Sequence, residues 1–98
     1  MIKDDLMKVI NMQKDYNNPY MTIYKPNNKK KIVEYDSDTC AFDIVEDNLL
    51  FGLWDYEDFS IKLKNIKSVL FEKFSEGMTI VHIKLKNRNT IMLHFMNT

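Results

Sequence analysis

The hydrophobic period of this chain changes at Asn17-Asn18-Pro19. Before that point apolar side chains recur at Ile2, Leu6, Val9, Ile10 and Tyr16. Spacings of three and four place them on one stripe of an α-helix. Asp4 and Asp5 stand at its start and Lys14 near its end, the order the helix dipole favours. Proline disfavours helix at the residue before it, so the helix is expected over 2–17. After Pro19 the period is two. Strands read at Met21–Lys25, Lys31–Asp36, Thr39–Glu46, Leu49–Trp54, Phe59–Lys64, Val69–Phe74, Thr79–Lys86 and Thr90–Met96, each bounded by turn residues such as Pro26-Asn27-Asn28, Asp47-Asn48 and Glu76-Gly77. The expected fold is α+β: one domain over 1–98, with an N-terminal helix packed on a bent antiparallel β-meander of about six to eight strands at 20–97 that could curl into a barrel-like form.

Two hairpins allow a register to be written. A three-residue loop Asn87-Arg88-Asn89, with Asn89 left-handed, sets Leu85 against Ile91, Ile83 against Leu93 and Val81 against Phe95, all apolar on one face. It also sets His82 against His94. The run Leu49-Leu50-Phe51-Gly52-Leu53-Trp54 has no polar face. With a four-residue loop, Trp54 meets Phe59, Gly52 meets Ile61 and Leu50 meets Leu63. Leu49, Phe51 and Leu53 then stand on the opposite side beside Ser60, Lys62 and Lys64. The helix would cover them, or a second copy would, which makes these three a candidate homodimer face.

With 45% hydrophobic residues and no net charge, the chain does not have the composition of a disordered one. Cys40 is the single cysteine, which excludes an intramolecular disulfide and suits a reducing compartment. The six-residue run at Leu49–Trp54 is far too short to cross a membrane. Acids at Asp4 and Asp5 occupy the place where a secretory signal needs an apolar core. The expected setting is cytoplasmic, in a bacterial cell or an infected one. Phe, Tyr, Met, Ile, Asn and Lys make up 51 of the 98 residues, and their AT-rich codons point to an AT-rich bacterium or to a phage or plasmid living in one.

The zero net charge is a cancellation. Residues 1–31 carry +4, residues 32–61 carry nine acids and no Lys or Arg, and residues 62–98 carry +5. An acidic stretch of that kind could be gathered on one face and dock on a basic partner. Asp43, Glu46, Asp47, Asp55, Glu57 and Asp58 would carry it, with Tyr56 as the aromatic contact at a loop tip. The first functional expectation is therefore a non-enzymatic protein-binding module, such as a mobile-element inhibitor of a host nuclease or defence complex. The partner would be a basic protein, of which a nucleic-acid-binding enzyme is one kind. The alternative is a small β-barrel-like module that contacts nucleic acid through its lysines, with Lys29-Lys30-Lys31 and Lys25 as a basic knot and Lys62, Lys64, Lys67, Lys84 and Lys86 as a sheet face beside it. Base readout is not expected, because Arg88 is the single arginine. No enzyme is expected: with two glycines the chain has no phosphate-binding loop, and no serine or cysteine sits in a nucleophile motif. No cofactor or metal is expected either. His82 and His94 would have only Cys40 and Glu72 as further ligand candidates, without ligand spacing.

Overall fold

The computed structural model describes residues 2–15, 20–24, 31–35, 40–53, 59–75 and 77–96. Helix α1 covers Ile2–Asp15, with Asp4 and Asp5 in its first turn. Strands β1 (Tyr20–Tyr24), β2 (Lys31–Tyr35), β3 (Cys40–Val45), β4 (Asn48–Leu53) and β5 (Phe59–Lys62) follow. A 3-10 turn, Leu63–Asn65, leads into β6 (Ile66–Ser75), β7 (Met78–Leu85) and β8 (Thr90–Met96). Among the described residues all pairings are antiparallel. One sheet has five strands in the order β2-β1-β8-β7-β6, and the other has three in the order β3-β4-β5. The α+β antiparallel expectation holds. The simple meander does not, because β1 pairs with β8 as well as with β2. No barrel closes either: β2 and β6 end one sheet, and β3 and β5 end the other.

Alternation decides what each strand buries. Met21, Val69, Val81, Ile83, Ile91, Leu93 and Phe95 line the inner face of the five-stranded sheet, and Phe42, Leu49 and Phe51 that of the three-stranded sheet. Leu6 and Val9 of α1 are buried in the same cluster. The helix leans on β6 of one sheet and β3 of the other. Phe42 bridges the layers: its ring lies 5.9 Å from Phe51 and, nearly perpendicular, 6.3 Å from Phe95 across the core. Such edge-to-face pairs add to the energy of simple burial.

The helix also closes a sheet edge with a polar side chain. Gln13 continues the buried stripe of Leu6 and Val9, one turn on. Its Nε2 donates to the Phe42 carbonyl at 2.8 Å, and its Oε1 accepts from the Phe42 N–H at 3.2 Å. The side-chain amide thus replaces one rung of a missing strand beside β3. Two residues further along that edge, the Ile44 N–H donates to Asp43 Oδ1 at 2.8 Å. Satisfying edge groups from within blunts strand-to-strand aggregation. Gln13→Leu removes both rungs and leaves the Phe42 backbone groups unpaired. It is expected to cost about 1–3 kcal/mol in urea unfolding, with Gln13→Glu intermediate because it keeps only the acceptor.

Three expectations need correction. The β7–β8 register is two residues away from the one written above: Ile83 faces Ile91, Val81 faces Leu93 and Thr79 faces Phe95. The left-handed residue is Arg88, with φ 77°, not Asn89. An even slip keeps every side chain on its face, so the apolar assignment survives. His82, however, faces Met92 and not His94. The β4–β5 register differs by three: Leu49 faces Ile61 and Phe51 faces Phe59. An odd slip exchanges the faces. Leu49 and Phe51 are therefore fully buried in the chain's own core and form no dimer face. The side chain of Leu53, the third member of that proposed face, lies outside the described residues. The β3–β4 turn is Glu46-Asp47, with Glu46 at φ 57°, and Asn48 already belongs to β4.

Candidate functional site

Three turns meet at one end of the molecule, tied by backbone hydrogen bonds. At the β3–β4 turn the Asp47 carbonyl accepts from the Leu63 N–H at 2.9 Å. That bond seats the 3-10 turn, whose Asn65 carbonyl accepts from the Lys86 N–H at 2.8 Å. The β7–β8 loop closes on itself. The Arg88 N–H donates to the Leu85 carbonyl and the Leu85 N–H to the Asn89 carbonyl, both at 2.9 Å. This is the three-residue loop with a left-handed last position, filled by Lys86-Asn87-Arg88. A second bond braces its tip, from the Asn89 N–H to Asn87 Oδ1 at 2.9 Å.

The turns carry charge with them. Lys62 ends β5, Lys64 sits in the 3-10 turn and Lys67 bulges out of β6 between Ile66 and Ser68. Lys84 lies next to the end of β7, with Lys86 and Arg88 in the loop beyond it. All six side chains are exposed. Two open clefts, of about 480 and 580 Å³, run between these turns and share Asn48 and Lys62. One is also lined by Lys64, the other by Lys86, Asn65 and Asn87. Lysine ammonium groups beside amide donors are the composition that contacts phosphate oxygens. The asparagines were not singled out from the sequence. Their signal was present all the same: Asn48, Asn65 and Asn87 each stand within three residues of a turn lysine or acid.

Three of the acidic candidates fall on one hairpin. Asp43, Glu46 and Asp47 are exposed on the β3–β4 hairpin. The Asp43 carboxylate is engaged by the Ile44 N–H, while Glu46 and Asp47 line the same cleft as Lys62 and Lys64. Asp55, Tyr56, Glu57 and Asp58 lie outside the described residues, so the structure places no acidic loop tip. Lys25, Lys29 and Lys30 of the basic knot lie outside them as well.

The two histidines do not face each other. His82 and His94 are diagonal neighbours across the β7–β8 pair. His82 Nε2 stands 3.5 Å from Glu72 Oε2 and, although buried, makes no hydrogen bond. His94 faces Ile80 on one side and Tyr20 on the other. Its ring meets that of Tyr20 nearly at right angles, with centroids 5.6 Å apart. Among the described residues no three His, Cys, Asp or Glu side chains converge to hold a metal ion, and no helix is long and apolar enough to cross a membrane. Set against known proteins, the chain matches no protein-family model, no curated protein and no solved structure.

Proposed function

We propose that this chain is a non-enzymatic binding module whose basic end engages a polyanion, foremost the phosphate backbone of a nucleic acid in the cytoplasm. The observation that carries this reading is the convergence of Lys62, Lys64, Lys67, Lys84, Lys86 and Arg88 around the 3-10 turn and the β7–β8 loop, which the Lys86 N–H to Asn65 carbonyl bond joins. Exposed like charges held together raise the local potential and the rate of encounter with an anion. Five of the six are lysines, which act as point charges rather than as bidentate readers of bases. Binding is therefore expected to be indifferent to sequence. Fluorescence anisotropy of a labelled oligonucleotide across a salt series tests this. With six contacts, log K falls against log salt with a slope of about −4 on a single strand and about −5 on a duplex. Absence of binding at low salt sinks the reading.

A second reading has its own observation. Asp43, Glu46 and Asp47 are all exposed on one hairpin, so the acidic segment could dock on a basic protein, as a mobile-element inhibitor of a host nuclease would. It ranks below the first because Glu46 and Asp47 share their cleft with Lys62 and Lys64, which weakens any net acidic field there.

A further inference from the structure

The outer face of the five-stranded sheet is unlike an ordinary solvated face. Thr22 and Ile80 at its centre lie outside the core cluster and yet are only 2% and 6% exposed. Tyr20, Tyr24, Met92 and His94 beside them are half-buried. Tyr20 and Tyr24 flank Thr22 on β1, because Met21 and Ile23 between them point into the core. Met92 and His94 stand across from them on β8. The face thus sets two tyrosines, a histidine and a methionine on adjacent strands. Leu70 is 49% and Met96 58% exposed on the same side, more apolar surface than water-facing strands usually carry together.

The register gives this layer a direction. One cross-strand row reads Tyr24–Thr90–Lys84–Ser68 and the next but one reads Tyr20–His94–Ile80–Glu72. Lys84 is two residues from Lys86 and four from Arg88 in the chain. The first row therefore abuts the basic end, and Tyr20 and His94 lie roughly 13 Å further along the strands. A ligand whose phosphates are held at the basic turns would lay its next groups over Tyr24, and then over Tyr20.

We propose that this face is a stacking platform for single-stranded nucleic acid, with the strand's phosphates on Lys84, Lys86 and Arg88 and its bases on Tyr24 and Tyr20. The idea rests on the polyanion reading of the basic end and narrows its ligand. Only unpaired bases present a free π-face to a protein ring, so a duplex would gain the electrostatic contact and not the stacking. Rings that are already half-buried lose little freedom on binding.

The test uses the full chain and two labelled probes, an oligothymidine of about 12 nucleotides, within the site size of one small module, and a duplex of the same length. The expected result is tighter binding of the single strand. Tyr20→Leu and Tyr24→Leu keep bulk but remove the ring. Each should weaken single-strand binding by about 5- to 150-fold and leave duplex binding and its salt slope unchanged. Tyr24→Phe should restore the affinity. Equal affinity of the unaltered chain for both probes overturns the platform while leaving the basic-end reading standing, and does so without any variant having to fold. Binding of neither probe overturns both. If the leucine variants change the oligomeric state in light scattering but not oligonucleotide affinity, the face is a protein interface and the platform is wrong.

Discussion

Replacing Phe95 with alanine should remove about 3–5 kcal/mol of unfolding free energy. Phe95 is fully buried on β8, a strand with neighbours on both sides, and its ring meets Phe42 from the opposite sheet. The cavity would therefore open where the two layers are held together, and neither β8 nor β3 can move in to fill it without breaking its own pairing. A domain of this size has only about 5–15 kcal/mol in total. The urea midpoint should drop by roughly 2–3 M, and at the lower end of that stability range the variant would not fold cooperatively. The adjacent Met96 is the internal control. It is 58% exposed, so Met96→Ala should stay within about 0.5 kcal/mol of the parent. Equal losses at the two neighbours would contradict the alternation that builds the sheet.

The second large effect concerns binding. Reversing Lys62, Lys64 and Lys86 to glutamate changes exposed side chains around the two clefts, so the fold should persist. Nucleic-acid affinity at low salt should fall on the order of 10²-fold or more, and the salt slope should flatten by about two to three. The opposite change, Glu46→Lys with Asp47→Lys, separates the two proposed functions by sign. It should strengthen polyanion binding by removing repulsion beside Lys62 and Lys64. If the acidic segment is the docking surface, the same pair, or Asp55, Glu57 and Asp58 changed to lysine, should instead abolish capture of the basic partner.

The helix and all eight strands were legible because period and punctuation are local, but boundaries shifted, most of all where β5 ends at Lys62 and not Lys64 and β6 begins at Ile66 and not Val69. The helix stripe and the alternation of β8 need only neighbours a few residues away. Register was less legible. The β7–β8 loop begins one residue earlier than expected, with Arg88 and not Asn89 in the left-handed position. Because the resulting slip is even, the core assignment was unaffected. At β4 the run of apolar residues offered no polar face to fix parity, and the assumed loop length exchanged inside and outside. That error, and not any missing chemistry, made Leu49 and Phe51 look like an interface. Gln13 was passed over for a related reason: a polar residue at a core-facing helix position reads as a break in the stripe until a strand edge is found opposite it.

By itself the sequence determined the kinds of element, their order and, where a segment alternates or has a helical stripe, which side chains it must bury, since those follow from periodicities contained within single segments. The tertiary structure alone decided that β1 pairs with β8, that Gln13 caps β3, and that lysines from residues 62–67 and 84–88 share one end of the molecule. These depend on pairings between distant parts of the chain. A hydrogen-bonded turn at Asn65 and Lys86 can bring two basic segments together, and no local pattern in either segment records the other.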